Sequence, residues 1–201
     1  MKAPRNATKR EILADGIYPA ILYSLVQIGT VEGYQGKMQN KIRVTFELPT
    51  EVRTFDGKDK PMAMGKNMTF SMAPKAGLRK IAESINGKGM TDDEADEFDV
   101  EALVGKGLIL NIKSKEGENG IFNYIDGFTP LMKGQKLGKP FNEPTVLFFE
   151  TWDETVFGKL PQFMQEMIKT SDEYRTMKGL KLPSEPLEGE DVTVNADDVP
   201  F

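Results

Sequence analysis

The sequence predicts a mainly β fold: five antiparallel strands, one helix between the third and the fourth, and short helices after the last. Three observations carry this. Apolar and polar residues alternate in several short segments, as strands with one buried face require. The 19 glycines and 12 prolines largely punctuate those segments. In the first two thirds, the clearest helical spacing lies within residues 74–89.

"GIYPAILYSLVQIG" reads as the first strand, ending at Gly29. Its apolar residues occupy both parities, as in a curved strand covered on both sides. "EGYQGKMQ" is a turn or loop. In "NKIRVTFELP", Ile42, Val44, Phe46 and Leu48 point one way and Lys41, Arg43, Thr45 and Glu47 the other, and Pro49 is expected to close the strand. Asp56-Gly57 is a hairpin signal. "KNMTFSMA" follows as the third strand, with Met68, Phe70 and Met72 on one face.

"PKAGLRKIAESINGKG" is the helix. Pro74 stands near its start, Leu78, Ile81, Ala82 and Ile85 form its stripe, and Gly87 ends it. "MTDDEADEFDVEALVGKG" is an acidic loop with a helical turn. "LILNIKS" and "IFNYIDGFTPL" are the last two strands, joined by the turn "KEGENG". Beyond Pro130 a basic connector leads to the short segment "TVLFFE" and to two helical pieces that meet at Pro161. The second has the stripe Phe163, Met164, Met167 and Ile168, with Asp172, Glu173 and Arg175 expected to face water.

This order is that of a five-stranded OB-fold barrel, the oligonucleotide-binding fold. Another small β-barrel with the same strand count is the competing account. The organisation expected is a flexible basic arm (1–11), an OB-fold domain (12–132), a C-terminal extension whose helices pack on the barrel (133–182) and a disordered acidic tail (183–201). The extension's helices are too short to stand alone. They cover the barrel or hold a second subunit, compatible with a monomer or a homodimer.

Composition narrows the chemistry. There is no Cys and no His, which removes thiol nucleophiles, imidazole bases, disulfides and nearly every zinc or haem site. No glycine-rich phosphate loop is present. The carboxylates of "DDEADEFDVE" fall on all sides of any helix, so a solvated loop is favoured over a metal site. Neither an enzyme nor a cofactor is expected. No apolar run is long enough to span a bilayer, and the basic start lacks the apolar segment of a signal peptide.

Net charge is −5, but residues 185–201 hold six acids and no base, which leaves 26 bases against 25 acids in the rest. A near-neutral body can carry a basic groove that the sum conceals. Single strands are bound by cations along the phosphates and by aromatics stacked on bases. The candidates are Tyr34, Lys37, Lys41 and Arg43 in and before the second strand, and Arg53 and Phe55 after it. Lys113, Lys115, Phe122 and Tyr124 join them from the last two strands. If Ile121 and Ile125 take the core face, Phe122 and Tyr124 turn outward; the alternative places these aromatics in the core or under the C-terminal helices.

The final residues, "DDVPF", resemble the acidic tip of bacterial single-stranded DNA-binding proteins, in which aspartates precede Ile-Pro-Phe. Asp197, Asp198, Pro200 and Phe201 match that motif, and Val199 stands where its isoleucine would be. The resemblance implies docking of the Phe201 side chain and carboxylate in a basic-rimmed apolar pocket on replication and repair proteins. The segments "GIYPAILYSLVQIGT", "KIRVTFELP", "LVGKGLILNI" and "LPQFMQEMIKTSDEY" are similar to tailed-bacteriophage proteins, some of them single-stranded DNA-binding proteins with an OB fold. That likeness implies binding of single-stranded DNA in phage replication, recombination or repair, in the cytoplasm of the infected host. The alternative function is an OB-fold interaction module that recruits or inhibits a host replication factor without binding DNA.

Overall fold

The sheet is built on β1 (Gly16–Glu32), 17 residues long. The structure, a computed structural model, describes residues 12–182 apart from 56, 118 and 119. Residues 16–21 of β1 pair antiparallel with β4 (Gly107–Gly117), and from Ile21 onward β1 pairs antiparallel with β2 (Met38–Phe55). Register shifts between Leu22 and Ser24 and between Gln27 and Gly29 bend the strand from one partner to the other. Outside these, β3 (Lys58–Thr69) joins β2 and β5 (Gly120–Thr129) joins β4, giving the order β3-β2-β1-β4-β5. A short β6 (Thr145–Leu147) pairs parallel with Ser24, Leu25 and Val26, beyond the residues that β4 covers.

The sheet curls into a half-barrel of the OB kind, with α1 (Gly77–Asn86) and the short α2 (Asp92–Asp96) between β3 and β4. Leu78, Ile81 and Ala82 of α1 enter the core with Leu22, Leu25, Val44, Phe46 and Leu110. Each of the larger side chains contributes roughly 1.5–3 kcal/mol by leaving water. The barrel expected from the sequence is not fully closed: among the described residues no strand pairing joins β3 to β5. The side chain of Asn123 on β5 bonds instead to the main chain of the entering segment, accepting from Leu13 N at 2.8 Å and donating to Leu13 O at 3.0 Å. Leu13 is buried in the core.

A second apolar cluster lies on the outer face of β1. Val26 and Leu147 meet Phe157, Leu160, Met164, Ile168 and Tyr174. Phe157 belongs to α3 (Glu154–Lys159), Leu160 follows its end, Met164 and Ile168 belong to α4 (Gln162–Lys169) and Tyr174 to α5 (Asp172–Met177). Trp152 stacks on Phe149 at 5.3 Å between ring centroids and meets Phe157 at 5.0 Å. Double coverage of β1 is the physical reason for its apolar residues on both parities.

Several boundaries differ from expectation. β2 runs through Pro49 to Phe55, because the ladder has an irregularity between Leu48 and Val52 where a proline is tolerated. β3 begins at Lys58, well before "KNMTFSMA", so β2 and β3 form a long hairpin arm. Phe70 and Met72 lie beyond β3, yet pack against the core beside Met68. Among the described residues there are three C-terminal helices rather than two, since the Ser171 hydroxyl caps α5 as a separate helix.

Asp172, Glu173 and Arg175 do not simply face water; all three are half-buried. The Glu173 carboxylate accepts from Thr30 N at 2.6 Å and from Thr30 Oγ1 at 2.7 Å, and Arg175 donates to the Lys181 carbonyl. The cause is the approach of this helix to β1 at Gly29, whose φ is +92°. A Cβ at Gly29 would collide with Glu173, Ser171 and Phe149.

Candidate nucleic-acid interface

On the β4–β5 hairpin, residues directly opposite one another share a face. Lys113 lies opposite Tyr124 and Lys115 opposite Phe122, so these four side chains stand together on the outer face. The inner face carries Ile112 opposite Ile125, both buried. Ile121 shares the inner parity but is 60% exposed, because the hairpin projects beyond the core at that point. Phe122 is 42% exposed, and its ring lies against Gly117, where a Cβ would stand 2.8 Å from a ring carbon. Tyr124 is half-buried.

The two lysines are unequal. Lys113 pairs with Asp126 at 2.8 Å, and that hydrogen bond raises its pKa above the usual lysine range. A phosphate would have to displace the carboxylate. Lys115 is exposed and makes no ion pair among the described residues, so it is the readier phosphate ligand.

The β2 candidates are spread out. Lys37 is exposed beside the short 3-10 turn Tyr34–Gly36. Lys41 is half-buried opposite Thr69. Arg53 lies ten residues beyond Arg43, about 30 Å along an extended strand, toward the tip of the β2–β3 arm opposite Lys60. It is not brought to Arg43. The side chains of Tyr34 and Phe55, and all of Asp197, Asp198, Val199, Pro200 and Phe201, lie outside the described residues.

Arg43 differs most from an open-face residue. It is half-buried under α4, with its guanidinium carbon 5.1 Å from the centroid of the Phe163 ring. Its Nη1 donates to Asn67 Oδ1 at 2.8 Å. On the other side it lies against Gly65, where a Cβ would collide with the guanidinium. Burial pushes the Arg43 pKa down from its ordinary value, while the nearby Tyr23 acts in the opposite direction. Phe163 is 50% exposed, so it forms part of this site rather than of the helix core that its spacing implied.

Arg43 stands in a cleft of about 700 Å³ between the outer face of β2–β3 and α3–α4. One wall is the segment 142–146, held by the buried Glu47. Its carboxylate accepts from Phe141 N at 2.8 Å, Asn142 N at 2.9 Å and Asn142 Nδ2 at 2.8 Å. A smaller cleft of about 230 Å³ contains Phe122 and Asn123. Ala63 and Gly65 line both clefts. These two small residues of β3 are therefore a low saddle between the hairpin aromatics and Arg43. Nothing in the alternation pattern marks Tyr23, Gly65 or Lys159 as part of a site; only the packing of the C-terminal extension does.

Among the described residues, no group of three or more His, Cys, Asp or Glu is arranged to hold a metal ion. Likewise no described helix is long and apolar enough to cross a membrane. The class that fold and surface define is an OB-like half-barrel with a mixed cationic and aromatic outer face, an arrangement suited to nucleic-acid or protein binding. No protein-family model and no curated protein matches this chain.

Proposed function

We propose that this chain is a non-catalytic single-stranded DNA-binding protein of the tailed-phage kind, acting in replication, recombination or repair within the infected host. The observation that carries this reading is the outer face of the β4–β5 hairpin, where Lys115 stands opposite Phe122 and Lys113 opposite Tyr124. A cation beside an aromatic, repeated along a strand pair, supplies the two kinds of contact, to phosphate and to base, that sequence-tolerant binding combines. The absence of His and Cys from the whole chain supports a binding role over thiol- or imidazole-based catalysis. Residues 197–201 serve in this reading as a docking peptide for a replication or repair protein. Residues 12–132 form the OB-like domain and 133–182 its extension.

The test is a fluorescence titration with an unstructured oligonucleotide and with duplex of the same length. Binding of the single strand in preference to the duplex, without metal or cofactor, is the expected outcome. Equal absence of binding to both, together with capture of a host replication factor, would favour the interaction-module alternative.

A further inference from the structure

We infer that the cleft between the β2–β3 face and α3–α4 is a nucleotide subsite, taking one phosphate of the strand on Arg43 and Lys159 and its base against Phe163 and Pro161. The inference rests on the single-strand reading and extends it. The C-terminal extension becomes the second wall of the DNA path rather than a mere cover for the barrel.

Four observations carry it. Arg43 is half-buried yet forms no ion pair among the described residues. A partly desolvated cation without a carboxylate is left to be compensated by an anionic ligand. The guanidinium is already fixed, with Asn67 holding Nη1, Gly65 on one side and Phe163 on the other. A fixed planar fork presents its donors to phosphate oxygens at little further entropic cost.

The lining suits a nucleotide as well. Lys159 adds a second cation, Glu143 is the one acid among the described residues of the lining, and Pro144, Pro161 and Phe163 supply apolar surface. Polar residues such as Tyr23, Ser24, Thr45 and Asn142 share the lining with these apolar ones, the mixture that a charged phosphate and a planar base together require. The saddle at Ala63 and Gly65 then lets one strand pass from Phe122 on the hairpin to Arg43 without crossing a large side chain. An extended strand could thus contact both regions at once.

The test uses the full chain and a labelled thymidine strand carrying 5-iododeoxyuridine. Arg43→Gln and Lys159→Gln are compared with Lys115→Gln, and Arg43→Lys keeps the charge while losing the fork. Lys159 is exposed, so its substitution leaves the fold unharmed even if Arg43→Gln does not. The expected result is a loss of affinity of several-fold or more for Arg43→Gln and for Lys159→Gln. The salt slope should fall by roughly 0.7 for each lost phosphate contact. Arg43→Lys restores the slope but not the affinity, and cross-links appear at Phe163 or Tyr23 as well as on the hairpin.

Wild-type affinity in both cleft variants, with cross-links confined to Phe122 and Tyr124, overturns the subsite and leaves hairpin binding standing. Unchanged oligonucleotide affinity with loss of a protein partner assigns the cleft to a peptide and also overturns it. Failure of the wild-type chain to bind the strand at low salt overturns both the subsite and the function it rests on.

Discussion

The Nζ of Lys66 on β3 donates to the main-chain carbonyl of Ile125 on β5 at 2.7 Å, across the gap where two paired strands would close the barrel. Lys66 occupies an inward position opposite Val44 and lies 5.6 Å from the Phe128 ring centroid. Burial lowers its pKa from the usual lysine value, and Asp126 acts in the opposite sense. One side chain thus takes over part of a task that backbone pairing performs elsewhere in the sheet. Lys66→Met keeps the apolar stem and removes the donor. The expected cost is about 1 kcal/mol, the usual scale of a partly solvated hydrogen bond, with faster hydrogen exchange concentrated in β5. Unchanged exchange in β5 would show that the gap holds without this contact.

Asp15 fixes the segment that precedes β1. Its Oδ1 accepts from Ser114 N at 2.7 Å and from the Ser114 hydroxyl at 2.6 Å. The hydroxyl and the amide hold its pKa below the ordinary 3.8. A carboxyl with a depressed folded pKa binds fewer protons when folded than when unfolded. Its contribution is therefore complete above the ordinary value and disappears as pH falls through the folded one. Asp15→Asn should flatten this part of the acid limb in a series of melting temperatures. An acid limb identical to wild type would contradict the assignment.

Gly65→Ala places a methyl group where the Arg43 guanidinium now lies. The guanidinium is the far end of a long side chain, so the methyl group forces it out of its seat against Asn67 and Phe163 without unfolding the sheet. The variant should keep a near-wild-type melting temperature and lose several-fold in oligonucleotide affinity. A large drop in melting temperature, measured by circular dichroism, would instead mean that moving Arg43 does not make room for the methyl group and that the strand itself has to shift.

Residues 185–201 carry six acids and no base. Deleting them changes the net charge from −5 to +1. Oligonucleotide affinity should stay level or rise, most visibly at low salt where screening is weakest. Removing Phe201 alone should leave DNA titrations unchanged and abolish capture of a replication or repair partner. A lower DNA affinity after the larger deletion would give this segment a direct part in binding.

Much of the sheet was legible from alternation alone. Ile42, Val44, Phe46 and Leu48 declare the inner face of β2, and the structure buries all four. The parity of β5 was legible too, given Ile125 as its core residue. What the pattern could not reveal depends on distant partners. Pro49 reads as a stop signal, and only the irregular pairing between Leu48 and Val52 lets β2 continue past it. Glu173 reads as a solvent residue until α5 is seen to turn back onto Thr30. Arg43 reads as an open-face cation, and its cover, Phe163, is 120 positions away. Lys66 is one lysine among many until the gap between β3 and β5 gives it a partner.

The most direct test of the central claim, that the outer face of this half-barrel binds single-stranded DNA through the hairpin, is a titration across salt of wild type, Lys115→Gln and Phe122→Ala. Both positions are exposed, so the fold should persist. Between about 50 and about 200 mM salt, wild-type affinity should fall steeply, with a log–log slope of about −0.7 per phosphate contact. Lys115→Gln should lower that slope by one contact. Phe122→Ala should weaken binding by about 1–3 kcal/mol with little change in slope, as loss of a stacked base predicts. Salt-insensitive binding, or wild-type behaviour in both variants, would contradict the account.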